Sequence, residues 1–317
     1  MVIDFGLAWN WEYDYDLMRL LEAECRLQGL TFLSITPDNI AATTTTLERG
    51  ELRLRALWDR AVDSDSNFMA LNEWARMNMV KRINPYELAR HAWNKATMHL
   101  EFITAGVYTP YTIILDPFNI QPTLREIDLS VLGNRFIIKP AHGGGGVGVI
   151  PDATSLERVL GARREHPDDY YLLQAAIEPV LLNGRPAWFR VIYGLRETYF
   201  CWWDVRTHIY TPFSIADKET LPMQLLNRIM AKIAALTGLD VFSSEIALTA
   251  EGNFVVVDYI NDPLDLRLQS KAEDGVPDEI VRAVTSSCIA TVKKVISPET
   301  IAGKIENKDT KIIKSKR

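Results

Sequence analysis

Three groups of residues in this chain have types and spacings suited to chemistry, and the first lies in "RFIIKPAHGGGGVGVIP", Arg135 to Pro151. Lys139 and His142 are followed by Gly143, Gly144, Gly145, Gly146 and Gly148, all between two runs rich in β-branched residues. The spacing Gly143-x-Gly145-x-x-Gly148 matches the dinucleotide fingerprint, but that motif needs a helix opening on its glycines and an acid about 20 positions on. Valine and proline follow instead. A Walker-type phosphate loop wants Lys-Ser or Lys-Thr after its glycines, whereas Lys139 precedes them. What remains is a strand ending near Lys139, a glycine hinge and a second short strand. Such a hinge offers wide backbone freedom and unhindered N–H groups for phosphate oxygens. A ligand-free surface hairpin is the plain alternative. His142 is a candidate for contact with phosphate or substrate, without an evident partner.

A second lysine, Lys95, sits in the helical pattern that closes at Gly106 and is either a further phosphate cation or an ordinary helix-surface lysine. The second group is acidic. Glu245 and Asp258 face each other across the hairpin "VFSSEIALTAEGNFVVVDYIND", with Asn261 just beyond. Converging oxygens on adjacent strands are what magnesium requires, and a carboxylate ending an apolar run is costly to bury unless it is paired or metal-bound. A solvent-facing strand end for Asp258 and an Asn-Asp-Pro turn for Asn261 are the structural alternatives. The third group is Arg190 and Arg206, placed on strands among Trp188, Trp202 and Trp203. A guanidinium suits a terminal phosphate or a carboxylate, and the tryptophans suit a core or lobe interface better than ligand stacking.

The elements that must position these groups are legible in outline. "MVIDFGLAW", a helix ending near Gly29 and "TFLSIT" form a βαβ unit, followed by a polar run and a strand in "LRLRALWDRA". Pro85 marks the exit from this lobe, residues 1–88. One helix from "YELARH" to Gly106, a strand in "YTPYTIIL", the glycine hairpin and a helix in "SLERVLGARREH" fill residues 89–170. Residues 171–300 hold the strand "YLLQAAI", two antiparallel strands turning at Gly194, a helix over Leu221–Leu236, the acidic hairpin and a helix from about Asp278 to Ile296. Residues 301–317 read as a basic, frayed tail. Trp9, Trp11, Glu12 and Tyr13 follow the first strand, where parallel sheets carry binding loops; they suit an amine or sugar-like ligand, or a structural corner. Arg60 and Arg267 are candidates for a second carboxylate.

Composition narrows the class. The 317 residues are 47% hydrophobic and 24% charged, as folded chains are, and the net charge of -6 argues against a broad nucleic-acid surface. Cys25, Cys201 and Cys288 have no metal-ligand spacing and read as reduced, buried thiols of a cytoplasmic protein. The acidic, tryptophan-bearing start is unlike a signal peptide, and no run approaches the roughly 18 apolar residues of a membrane span.

Taken in order, a lysine, a second lysine before a glycine-rich hairpin, "YLLQAAIEP", an arginine strand, "SSEIAL" and "VVVDYINDP" resemble the ATP-grasp superfamily of carboxylate-amine and carboxylate-thiol ligases over roughly residues 84–265. The resemblance implies mixed α/β and α+β structure: an ATP-grasp fold behind a small N-terminal α/β lobe of the pre-ATP-grasp kind. It implies ATP and Mg2+ as cofactors, with Lys95, Lys139 and the loop His142 to Gly148 at the phosphates. Gln174, Ala175, Ala176 and Ile177 would line the adenine with main-chain groups, and Glu178 would hold the ribose. Arg190 would meet the terminal phosphate, with Arg206 or Arg267 adding positive charge, while Glu245, Asp258 and Asn261 would hold magnesium. A small carboxylate would become an acyl phosphate and be attacked by an amine or other nucleophile. Two departures stand out. Asp258 and Asn261 are three apart with Tyr259 at the expected acidic position, so a bulge restores the geometry or Asp262 takes a ligand role; and Trp188 replaces an acid two residues before Arg190. A small-molecule kinase on the same fold and a non-catalytic ATP-binding protein are the rival functions, and a homodimer is left open.

Overall fold

The computed structural model describes residues 1–124 and 127–296. The expected tail at 301–317 lies outside the described residues. The chain divides into two compact units, the first formed by Met1–Tyr86 together with the segment from Asp265 onward, the second by Glu87–Leu264. The first division lies between Tyr86 and Glu87. The second was not expected, since residues 171–300 read as a continuous domain; the segment after Leu264 instead packs with the N-terminal lobe.

In the first unit, β1 (Val2–Ala8), α1 (Tyr15–Leu27), β2 (Phe32–Ile35), α2 (Ile40–Glu48), β3 (Arg53–Asp59), α3 (Met69–Met77) and β4 (Lys81–Ile83) alternate. They form a parallel sheet of order β2-β1-β3-β4. Leu17, Met18, Leu21 and Cys25 recur on one buried stripe of α1, the spacing that marks an amphipathic helix. The polar run after β2 contains α2, because Thr43 and Thr44 join Ile40 and Leu47 on its buried face.

The second unit opens with α4 (Tyr86–Ala92) and α5 (Lys95–Thr104), which replace the single expected helix. Asn94 separates them: its side chain caps α5 by accepting the Thr97 N–H at 3.0 Å. Then come β5 (Thr112–Leu115), β6 (Phe136–Pro140), β7 (Ile150–Ala153), α6 (Leu156–Glu165) and β8 (Tyr171–Ala175). They build a four-stranded antiparallel sheet of order β5-β8-β6-β7. β8 is an inner strand of this sheet, so the expected subdomain boundary at residue 170 falls one strand too early. The short pair β9 (Leu181–Leu182) and β10 (Arg185–Pro186) leads to β11 (Trp188–Gly194), β12 (Glu197–Trp203) and β13 (Tyr210–Pro212). Helices α7 (Ile215–Thr220) and α8 (Met223–Thr237) precede the hairpin β14 (Val241–Leu248) and β15 (Phe254–Asn261). These strands form an antiparallel sheet of order β13-β12-β11-β14-β15. The chain closes with α9 (Asp278–Ile296) in the first unit. Among the described residues no helix is long and apolar enough to cross a membrane.

Candidate active site

The five-stranded sheet gathers the polar groups on one face. Register sets Arg190 opposite Glu245 across β11 and β14, and Glu245 opposite Asp258 across β14 and β15. Arg190 also pairs with Cys201, so Trp203, two residues on, shares its face, and Trp203 pairs with Tyr210 on β13. A row from Tyr210 through Trp203, Arg190 and Glu245 to Asp258 therefore crosses all five strands. The opposite face carries Phe189, Val191, Trp202, Ile246 and Val256, packed in one core with Leu226, Met230 and Ile233 of α8. Trp202 is thus a core residue, as expected, whereas Trp203 lies on the polar face.

Asp258 reaches its position through an irregular strand. From Glu245 to Ser243 is two residues on β14, but their partners Asp258 and Asn261 are three apart, and the register shifts again between Glu245 and Ile246. In a regular strand Asp258 and Asn261 would point to opposite faces. The extra residue brings the Asn261 Nδ2 to 2.9 Å from the Asp258 Oδ2, to which it donates. The bulge alternative therefore describes β15, and Asp262 accepts from the Trp93 Nε1 at 3.3 Å. Trp188, at the position where the sequence resemblance led to the expectation of an acid, donates its Nε1 proton to the Glu245 Oε2 at 3.2 Å.

The charges in this row are mutually dependent. The buried Arg190 guanidinium donates from Nη1 to Glu245 Oε1 and from Nε to the Ser243 Oγ at 2.9 Å, and it lies 4.9 Å over the Trp203 ring. Its Nη2 has no hydrogen bond to a described side chain. Lys139 is buried and donates to the Val257 carbonyl at 3.1 Å. Burial pushes the Lys139 ammonium below the ordinary lysine range, opposed by the attraction of Asp258 and Glu245. Burial pushes the Glu245 carboxyl up, opposed by Arg190. At Asp258 burial also acts upward, but Lys139, Lys95 and Arg190 together outweigh it and hold the carboxyl below its usual value. Three cations thus surround two carboxylates, leaving excess positive charge suited to an anionic ligand.

The glycine hairpin meets this cluster at Lys95. The Lys95 backbone N–H donates to Ala141 O at 2.9 Å, and its Nζ donates to Gly143 O at 2.5 Å. His142 has the partner its sequence did not reveal: Asp169 accepts both the His142 backbone N–H at 2.9 Å and the Nδ1 proton at 2.8 Å. The Asn94 Nδ2 lies 3.3 Å from the His142 Nε2. Because the Asn94 Oδ1 already caps α5, its Nδ2 is the donor to Nε2, which fixes the proton on Nδ1. Asp169 was legible only as the second acid of the turn "HPDDYY". Gly143, Gly145, Gly146 and Gly148 have φ of 115°, 60°, 76° and 72°, a region that side-chain-bearing residues rarely enter.

Other expected residues lie elsewhere. Arg206 is on an exposed turn after β12, not on the strand, and its backbone N–H donates to Asp204. Arg267 belongs to the first unit, where Asp265 and Asp274 bind its guanidinium over Trp11 and Tyr13. Arg60 forms a buried two-bond pair with Asp14, both bonds at 2.8 Å, and serves the first unit's interior. Gln174 is paired in the ladder with both Thr112 and Ile137, so its main chain is committed to the sheet, and its side chain points into the interior. Ala175 ends β8 and donates its N–H to Tyr111; Ala176 and Ile177 lie beyond the strand, and Glu178 is exposed, 3.5 Å from Arg135.

Among the described residues no three His, Cys, Asp or Glu side chains group to form a closed metal cage. Two carboxylates and a carboxamide on adjacent strands are the partial oxygen set that magnesium completes with phosphates and waters, so the residues fit it.

The two units, the paired antiparallel sheets and the glycine hairpin constitute the ATP-grasp fold. No protein-family profile and no curated protein matches the sequence. Solved structures match it over nearly its whole length. The RimK-domain ATP-grasp protein of Sphaerobacter thermophilus aligns with a TM-score of 0.60 at 16% identity, covering 89% of this chain and 97% of that one. D-cycloserine synthetase DcsG gives 0.59 at 16%, covering 92% and 100%. D-alanine–D-alanine ligase of Bacillus anthracis, complexed with ATP, gives 0.61 at 13%, covering 93% and 98%.

Proposed function

We propose that this protein is a cytoplasmic ATP- and magnesium-dependent ligase that activates a small-molecule carboxylate as an acyl phosphate for attack by an amine or another nucleophile. The observation that carries this reading is the convergence of Lys95, Lys139, Arg190, Glu245 and Asp258 beside a glycine hairpin. Lys139 and Lys95 neutralise phosphate oxygens as point charges, and the hairpin N–H groups bind them as dipoles. Main-chain groups of Ala176 and Ile177 meet the adenine, and Glu178 meets the ribose. Glu245, Asp258 and Asn261 hold Mg2+, which when bound offsets charge on the transferring phosphoryl group.

Arg190 orients the acceptor. A carboxylate is a weak nucleophile toward a phosphate of like charge, and a guanidinium with a free nitrogen both aligns it and reduces the repulsion. The anchoring by Glu245, Ser243 and Trp203 fixes that nitrogen before substrate arrives, as electrostatic catalysis requires. The reading rests on Arg190 alone among the expected arginines. Among the matched structures, one named a D-cycloserine synthetase and one a D-alanine–D-alanine ligase complexed with ATP are in keeping with this reading.

The test is a panel of small acids and amines with ATP and Mg2+, screened for phosphate release and repeated with hydroxylamine. A hydroxamate formed from one acid supports acyl phosphate formation. A stable phosphate ester without hydroxamate would replace the ligase with a small-molecule kinase.

A further inference from the structure

We infer that Tyr259 is a positioning residue, whose buried hydroxyl holds the β15 bulge that brings Asp258 and Asn261 onto one face; this rests on the metal role proposed for Asp258. Tyr259 directly follows Asp258 and points the other way. Its ring lies 5.2 Å from Phe102 and 6.0 Å from His99, ring centre to ring centre, and it is nearly inaccessible to solvent. Its hydroxyl is 2.7 Å from the His99 Nδ1 and 2.7 Å from the Gln174 Nε2. Its carbonyl accepts the Ser244 hydroxyl at 2.5 Å. One residue is thereby fixed to α5, to β8 and across the ladder to β14.

Gln174 Nε2 can only donate to the phenol, whose own proton is then available to His99 Nδ1 at 2.7 Å or to the neighbouring Thr112 hydroxyl, which itself donates to Pro110 O. Burial depresses the His99 pKa, in keeping with a neutral imidazole beside the phenol. The bulge has an alternative in which β15 pairs regularly with β14. That one-residue slip would turn Asn261 away from Asp258 and offset Asp258 from Glu245. Tyr259 opposes the slip, because a shifted register would withdraw its hydroxyl from both partners and leave polar groups buried unpaired.

The experiment measures AMPPNP binding by calorimetry, with Mg2+ and with EDTA, on the wild type, Asp258→Asn, Tyr259→Phe, His99→Leu and His99→Gln. Wild type should bind more tightly with Mg2+. Tyr259→Phe and His99→Leu should lose about tenfold or more of that strengthening, as loss of an outer-shell partner of a metal ligand does, with EDTA affinity unchanged. His99→Gln, which keeps an acceptor for the phenol, should retain most of it. Hydrogen exchange should quicken at Val255–Asn261 in Tyr259→Phe and stay unchanged at Trp188–Gly194. Full Mg2+ strengthening in Tyr259→Phe overturns the inference while the proposed function stands. An equal loss with EDTA, or identical behaviour of the two His99 variants, overturns it as well. A wild type that gains nothing from Mg2+ removes the metal role and this inference together.

Discussion

Replacing Arg190 with leucine tests the electrostatic organisation of the site without reference to any substrate. Arg190 is the chief charge offsetting burial at Glu245, and the two side chains are only 10% and 18% exposed. Removing one partner of a buried ion pair costs about 3–5 kcal/mol, and the residual access of water to Glu245 brings the expectation to about 2–4 kcal/mol at pH 8. For a unit of this size that is a fall in melting temperature of about 4–16 °C. The sign with pH follows from the raised Glu245 pKa, which leucine would raise further. A raised carboxyl destabilises the fold only where it is ionised, so the deficit should vanish below the unfolded value of 4.5 and grow as pH rises toward the folded value. Melting or urea titrations from pH 4 to pH 8 measure this, and adding Glu245→Gln to Arg190→Leu should recover much of the loss. A deficit independent of pH, or a double variant no better than the single, would refute the coupled-charge reading.

Asp59 carries a related expectation in the first unit. Burial pushes its carboxyl up to about 6 against the bonds from Ala61, Val62 and Asn72, so its favourable contribution is complete below 3.8 and lost as pH rises through about 6. The loss is about 2–3 kcal/mol across that window, and urea titrations should show a flatter pH profile for Asp59→Asn. Asp14→Ala should destabilise the first unit by about 3–5 kcal/mol in the same assay, since it removes the buried carboxylate that accepts both bonds from the Arg60 guanidinium. Gly144→Ala should leave stability unchanged, as its added methyl meets open space, whereas Gly148→Ala, at φ 72° with Pro140 3.1 Å from the new carbon, should lower stability by about 1–2 kcal/mol.

Sequence patterning revealed the residues that act locally and missed those defined by distant pairing. The strand-helix alternation of the first lobe and the acidic hairpin followed from hydrophobic period and turn residues, and each formed near its expected place. Helix α2 was hidden because threonines fill half its buried face, and β4 because three residues are too few to show a period. The α4–α5 break depended on Asn94 acting as a cap, a role indistinguishable in sequence from an exposed helical asparagine. In the candidate site, Lys139, Glu245, Asp258 and Arg190 were legible because charge inside apolar runs is conspicuous. Asp169 and Tyr259 were not: the first binds a histidine 27 residues away, and the second occupies a position where family likeness led one to look for an acid. Arg60 and Arg267 were read as ligand-facing, since sequence does not show that Asp14, Asp265 and Asp274 already pair with them.

The central claim is that one polar sheet face of the second unit holds a nucleotide and a divalent cation together. A crystal structure of the protein with AMPPNP and Mg2+ tests it most directly. The account predicts a metal about 2.1 Å from oxygens of Glu245 and Asp258, with phosphates contacting Lys95, Lys139 and the glycine hairpin. Nucleotide bound elsewhere, or a metal held without either carboxylate, would contradict it.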